Sequence, residues 1–246
     1  VIFLSSDNEE DTTVYDEQVM AMPGTVAAER TFVSRVYTWM FIGLLITGLV
    51  AAAVAGAAAN NPEVKRFLGS IMIFVFLAEL GLVFGLVGFI RKLSAGVAAG
   101  MFVVYSALTG LMLSMIFAVY TPGSIFSTFL ITSCTFAIMA IIGHTTKRDL
   151  TSIGHLCFMA LIGLIIASVV NMFVASEGLY WLTSFLGIPI FVGLMAYHTQ
   201  RIKQMSRRFG PGHPDARKYA VVAALTVYLD FINLFLILLR FFGRRR

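Results

Sequence analysis

Residues Tyr219–Leu239 read YAVVAALTVYLDFINLFLILL, and this stretch decides the fold. It is 21 residues long and carries one acidic or basic side chain, Asp230. A helix of about 20 apolar residues spans the roughly 30 Å hydrocarbon core of a bilayer. Inside lipid the backbone must satisfy its own hydrogen bonds, so such a run becomes a helix. Six more apolar runs precede it, giving spans at about 36–59, 67–90, 95–119, 124–143, 153–174, 180–199 and 219–239. The class is therefore an all-α integral membrane protein with seven transmembrane helices.

Composition agrees. Of the 246 residues, 59% are hydrophobic and 13% charged, with a mean hydropathy of +0.88. A soluble domain carries about 25% charged residues, and no polar stretch here is long enough to fold as one. The breaks between spans are chemically clear. Asn60-Asn61-Pro62-Glu63, Arg91-Lys92, Tyr120-Thr121-Pro122-Gly123 and Ala175-Ser176-Glu177-Gly178 all disfavour continuation of an apolar helix. Gln200 to Lys218 reads as the one long loop. Residues 1–30, with Asp7, Glu9, Glu10, Asp11, Asp16 and Glu17, read as a flexible polar tail. Residues 31–242 form the seven-helix domain, and 243–246 a basic C-terminal tail. Cys134 and Cys157 lie inside apolar runs and suggest packing, with no disulfide or zinc spacing.

Basic residues set orientation. Arg30, Arg35, Arg91, Lys92, Lys147, Arg148, Arg201, Lys203, Arg207, Arg208, Arg217 and Lys218 fall on one side. That places the N-terminus in the cytoplasm. Arg240, Arg244, Arg245 and Arg246 oppose this assignment. The last segment either crosses against the rule or re-enters, and crossing is the reading adopted. Small residues four apart, at Gly81/Gly85, Gly96/Gly100 and Gly163/Ala167, suggest close helix contacts.

An ionisable residue deep in a span is costly and points to function. Asp230 lies about eleven residues, roughly 16 Å, into its helix. Glu79 is near the middle of the second span. Each is either a polar staple between helices or part of an ion or proton path. His198 ends the sixth span, and His144, His155 and His213 lie near loops. There is no His-Glu-x-x-His, no Gly-x-Ser-x-Gly and no phosphate-binding glycine loop, so an enzyme is not expected. No cofactor and no nucleic acid are expected either; the partner that the spans themselves imply is the lipid bilayer.

Tyr228-Leu229-Asp230-Phe231-Ile232-Asn233-Leu234-Phe235, followed by Leu238-Leu239-Arg240, resembles the last helix of the Bax-inhibitor family, bacterial type. Three other stretches agree. Leu77-Ala78-Glu79-Leu80-Gly81-Leu82-Val83-Phe84 is similar to the family's second helix. Lys147-Arg148-Asp149-Leu150 resembles its loop before the fifth helix. Ala196-Tyr197-His198-Thr199-Gln200 occupies the place of its Tyr-Asp-x-Gln. The resemblance covers about residues 30–242. It implies six helices surrounding a central seventh, and a calcium-permeable leak gated by protonation of two facing aspartates. An arginine from the end of the second helix can pair with them. The first aspartate maps onto His198, the second onto Asp230, and the arginine onto Arg91.

The histidine is a departure. Two facing carboxylates can share a proton and so form a switch. A His–Asp pair instead forms a salt bridge when the imidazole is charged. When neutral it offers one nitrogen to a cation that prefers oxygen. Histidine as a residue type still suits pH sensing. The expected function is a pH-sensitive cation leak channel for calcium in a bacterial inner membrane, with Asp230 holding calcium transiently. His198 is the proton-sensitive partner, Arg91 the closing cation and Glu79 a second polar site. The alternative is a regulator or scaffold that binds other membrane proteins, such as a membrane protease, and a proton-coupled exporter comes third. His198 sits near the interface and Asp230 about three turns in. The two meet only if the sixth helix continues past Gln200 or the seventh is tilted.

Overall fold

The computed structural model describes residues 23–209 and 213–245. In chain order the helices are α1 (Pro23–Asn60), α2 (Pro62–Gly88), α3 (Ala95–Leu113), α4 (Ile116–Val119), α5 (Pro122–Thr145), α6 (Thr151–Val174), α7 (Glu177–Arg208) and α8 (Ala216–Phe242). The third span is α3 and α4 together, so seven stretches are long and apolar enough to cross a membrane.

Local chemistry sets the boundaries. Asn61 caps α2, its Oδ1 accepting from the Glu63 N–H at 2.9 Å, and Pro62 occupies the first helical turn, where no N–H is needed. Ser94 and Ser176 cap α3 and α7 in the same way. The third span breaks at Ser114-Met115. There the Ser114 N–H is shared between the carbonyls of Gly110 and Leu111, and its hydroxyl donates to Leu111 at 2.6 Å. α6 ends at Ala175, which takes a left-handed conformation (φ 50°) while the Asn171 side chain accepts from the Ser176 N–H.

Three boundaries differ from the sequence reading. α1 begins at Pro23, so residues 23–30 of the expected tail are helical; residues 1–22 lie outside the described residues. Phe32, Val36 and Met40, one turn apart, bury the inner face of its early turns. The sixth span does not stop at Thr199. α7 runs on to Arg208, because Gln, Arg, Lys and Met are good helix formers and a helix may leave the membrane without unwinding. The connection is thereby shortened to residues 209–215. At the C-terminus, Gly243–Arg245 are held: the Thr121 N–H donates to the Arg244 carbonyl at 3.0 Å, and the Arg244 N–H to Ser124 Oγ at 2.9 Å.

These contacts sort the two ends of the bundle. At one end Glu29 pairs with Arg207 at 3.7 Å, and Lys218 Nζ donates to the Arg91 carbonyl at 3.4 Å. Gln200 there bridges the α5–α6 turn, accepting from the Leu150 N–H and donating to the Arg148 carbonyl. At the other end lie the α4–α5 turn, the start of α7 and residues 243–245. α8 runs from one end to the other, so the last segment crosses the bundle fully.

α8 is also the most enclosed span. In its most apolar 18-residue stretch 72% of residues are buried, against 0% for α6. It packs chiefly on α1, α3, α5 and α7, while α2 lies on α3 and α6 lies on α7. Tyr228, fully buried, sits edge-on to Phe102 and Tyr105 with ring centroids 5.7 and 6.0 Å away. The outward faces are apolar throughout: Phe84, Phe126, Met172 and Phe173 are all largely exposed. Such a surface is untenable in water and matches lipid.

Of the glycines picked from their spacing, Gly85 faces a neighbour, with Met101 Cε 3.2 Å from where its Cβ would lie, and the tightest backbone contacts are made by others. A Cβ at Gly81, Gly96, Gly100 or Gly163 would meet open space. At Gly110 it would lie 2.7 Å from the Thr47 carbonyl of α1, and at Gly143 it would strike the Ala196 carbonyl of α7. Small residues matter where backbones touch, and the spacing pattern alone does not show where that is.

Candidate functional site

The packing of α7 against α8 brings His198 and Asp230 together. His198 Nδ1 and Asp230 Oδ2 are 2.6 Å apart, a short hydrogen bond that is also an ion pair when the imidazole carries its second proton. The Asp230 side chain is 5% exposed and the His198 side chain 17%. Among the described residues, His198 is the one hydrogen-bond partner of the Asp230 carboxyl. Burial in apolar surroundings strengthens such a bond and makes its loss costly.

The pair lines a cleft of about 460 Å³ between α6, α7 and α8. On α8 the lining follows one face, from Thr226 through Asp230 and Asn233 to Arg240. Ten residues separate Asp230 from Arg240, about 15 Å along the axis. Ser168 and Thr183 add hydroxyls to the opposite walls. Arg240 closes the far end, with Nη1 donating to Ser184 Oγ at 3.3 Å and its guanidinium over the Tyr180 ring at 5.2 Å. The cleft is thus a polar stripe within a hydrophobic bundle, with a His–Asp contact at one end and a cation at the other.

Glu79 lies elsewhere. It is buried on α2, and its Oε1 accepts from Thr109 Oγ1 at 2.7 Å. Nearby Thr47 shares a 2.6 Å hydrogen bond with the Tyr228 hydroxyl and donates to the Ser106 carbonyl at 2.9 Å. Tyr228 and Asp230 are two positions apart on α8, so they face opposite ways. α8 therefore has a polar group on each side: Asp230 toward α6 and α7, Tyr228 toward α1 and α3. Arg91 is exposed on the α2–α3 turn and forms no ion pair with Asp230; it offers its backbone carbonyl to Lys218. Thus His198 and Asp230 come together, and Glu79 and Arg91 stand apart from them and from each other.

Outside the spans, the Asp149 carboxyl accepts from the N–H and hydroxyl of Thr151 at 2.9 and 2.6 Å. These bonds hold its pKa below the ordinary carboxylate value. Sequence reasoning missed Thr109, Thr47 and Arg240 as parts of the polar interior. Arg240 had a readable signal, since it falls three turns after Asp230 on the same face. Thr109 and Thr47 had none, because threonine is ordinary in a membrane helix. Among the described residues, no group of three or more His, Cys, Asp or Glu lies close enough to hold a metal ion.

Seven long apolar helices with a buried polar pair between two of them define a multi-pass α-helical membrane protein. The chain belongs to the family described as Inhibitor of apoptosis-promoting Bax1, which matches residues 29–246. It is 49% identical over 224 residues to the inner membrane protein YbhL of Escherichia coli K12, covering 89% of this chain and 94% of that protein. It is 45% identical to a protein of Borreliella burgdorferi, over 90% of this chain and 95% of the other. A protein of Deinococcus radiodurans is 38% identical over 89% and 93%. This membership agrees with the expectation of a non-catalytic membrane protein.

Proposed function

We propose that this chain is a pH-sensitive cation leak channel, with calcium as the permeant ion. The observation that supports it is the His198–Asp230 contact at 2.6 Å within a cleft between α6, α7 and α8 that carries a polar stripe on otherwise apolar walls. The functional unit is the seven-helix body, residues 31–242, with α8 as the central helix and the other six around it. By analogy with a relative named as an inner membrane protein, the setting is a bacterial inner membrane with the N-terminus cytoplasmic.

In this reading the closed state is the paired one. His198 holds the Asp230 carboxylate and denies it to a passing ion. Separating the pair frees a carboxylate, which is the ligand type calcium favours. Proton exchange at the imidazole is the trigger, because a neutral ring holds a carboxylate less strongly than a charged one. Arg240 acts on the same path from the far end of the cleft as a fixed positive charge. Glu79, hydrogen-bonded to Thr109, is a second polar site on the other side of α8. Arg91, remote from the pair in this structure, acts as the closing cation only after a rearrangement of the α2–α3 turn.

The experiment is calcium flux from liposomes across pH, comparing the parent, His198→Asp, Asp230→Asn and the double change. His198→Asp is expected to increase leak and alter its pH dependence, and Asp230→Asn to abolish that gain. Additive effects would mean that the two residues are not one unit, and the regulator reading would then be the better one. Cysteine labelling in cells tests orientation: positions 91, 147 and 207 are expected on the cytoplasmic side and 177 opposite.

A further inference from the structure

A second cavity, of about 680 Å³, opens at the end of the bundle where α6 starts, α7 ends and α8 starts. One wall is a single face of α7: Tyr197, Arg201, Gln204 and Arg208, spaced four, three and four residues apart. His155 of α6 and Tyr219 of α8 contribute the other walls. Both arginines are exposed, and Arg201 Nη1 donates to the Tyr197 hydroxyl at 3.2 Å. They are seven residues apart, so their Cα atoms are separated by about 10 Å along the helix. Asp215 also lines the recess, but Lys218 Nζ holds its carboxylate at 2.9 Å, so it does not cancel the arginine charge.

A basic recess of this kind repels a cation and selects an anion. Guanidinium groups bind phosphate through two parallel N–H bonds, which an ammonium does not reproduce. What leads out of the recess narrows the class of anion. On α6, His155 is followed on the same face by Met159, Ile162 and Ile166, at intervals of four, three and four residues. These three apolar side chains are 64%, 46% and 58% exposed. The stripe from His155 to Ile166 is about 16 Å long, close to half of a roughly 30 Å hydrocarbon core. A charged recess at the bundle end joined to an apolar track one leaflet long is complementary to one kind of molecule. We propose that this recess binds the phosphate headgroup of an acidic phospholipid, with its acyl chains lying along the exposed stripe of α6. The proposal does not depend on the leak reading, since it concerns lipid occupancy and not flux.

The test uses the purified full chain in neutral detergent and native mass spectrometry with phosphatidylglycerol, phosphatidylcholine or inorganic phosphate added. Phosphatidylglycerol is expected to be retained at least tenfold more than phosphatidylcholine, and inorganic phosphate not to be retained. In the double variant Arg201→Gln with Arg208→Gln, that preference is expected to fall to the phosphatidylcholine level. Equal preference in parent and variant would overturn the assignment, and retention of inorganic phosphate on the arginines would make this a free-anion site. A second measurement needs no variant: phosphatidylglycerol with a photoreactive group in its chain is cross-linked to the parent protein in liposomes. Label concentrated on the peptide containing Met159, Ile162 and Ile166 supports the site; label spread evenly over all exposed helices refutes it.

Discussion

Replacing His198 by leucine removes the hydrogen-bond partner that the Asp230 carboxyl has among the described residues. Asp230 is 4% exposed, so water does not readily take the imidazole's place. Breaking a buried charged pair from one side costs about 3–5 kcal/mol, most of it from the group left behind. His198 is more accessible, with 17% of its side chain exposed, so Asp230→Leu should cost less, about 2–3 kcal/mol. The double change leaves neither group stranded, and two apolar side chains suit the surroundings. Its cost should fall short of the sum of the single changes by about 2 kcal/mol, the value of a charge-assisted hydrogen bond. The assay is unfolding of the purified protein in detergent micelles, with all four proteins compared at one pH and one detergent concentration. Additivity within about 0.5 kcal/mol would refute the reasoning. It would mean that the 2.6 Å contact contributes nothing that its surroundings do not already supply, and His198 would lose its claim to hold Asp230.

Other substitutions probe separate features. Gly143→Ala places a methyl group against the Ala196 carbonyl and should destabilise by about 2–3 kcal/mol in the same assay, whereas Gly163→Ala, facing open space, should change stability by less than about 0.5 kcal/mol. Ala175→Gly relieves a left-handed alanine and should stabilise by about 1 kcal/mol. Glu79→Gln keeps an acceptor for the Thr109 hydroxyl but removes the charge, so flux should change while thermal unfolding stays close to the parent's; unchanged flux at every pH would leave Glu79 a packing group. Asp149 has a folded-state pKa depressed by its bonds to Thr151. Its stabilising effect is present above the unfolded pKa and is lost as pH falls through the lower, folded one. Carbon-13 NMR should therefore show the Asp149 carboxyl titrating below the ordinary range, and Thr151→Val should move it back up.

The sequence carried the helices well because lipid leaves so few alternatives for an apolar run. It carried their ends less well. Reading Gln200 as the start of a loop equates the end of an apolar run with the end of a helix, and α7 shows that these are different events. The stretch Gln200-Arg201-Ile202-Lys203-Gln204-Met205 is an amphipathic helix, with Ile202 buried and Arg201 outward, and that pattern was legible. The same holds for Phe32, Val36 and Met40 at the start of α1. The polar pair was half legible. Asp230 declared itself by its depth, but its partner depended on how α7 packs against α8. The partners of Glu79 were not legible at all, since they come from α3, about thirty residues away, and are set by packing. Nor could spacing separate Gly143 from Gly163, because that difference lies in which backbone is opposite.

The burial of α8 has a consequence for how the protein is made. Of the seven spans α8 leaves the ribosome after the other six, and it is the most enclosed of them. Until it arrives, the hydroxyl of Thr47 lacks the tyrosine that later meets it, and His198 lacks its carboxylate. Until then the faces of α1, α3, α5 and α7 that it covers are without that partner. Its insertion covers those faces and ties Arg244 to the α4–α5 turn, through Thr121 and Ser124. A chain that stops short of residue 216 leaves the Thr47 hydroxyl and the His198 imidazole of the earlier spans without those two partners.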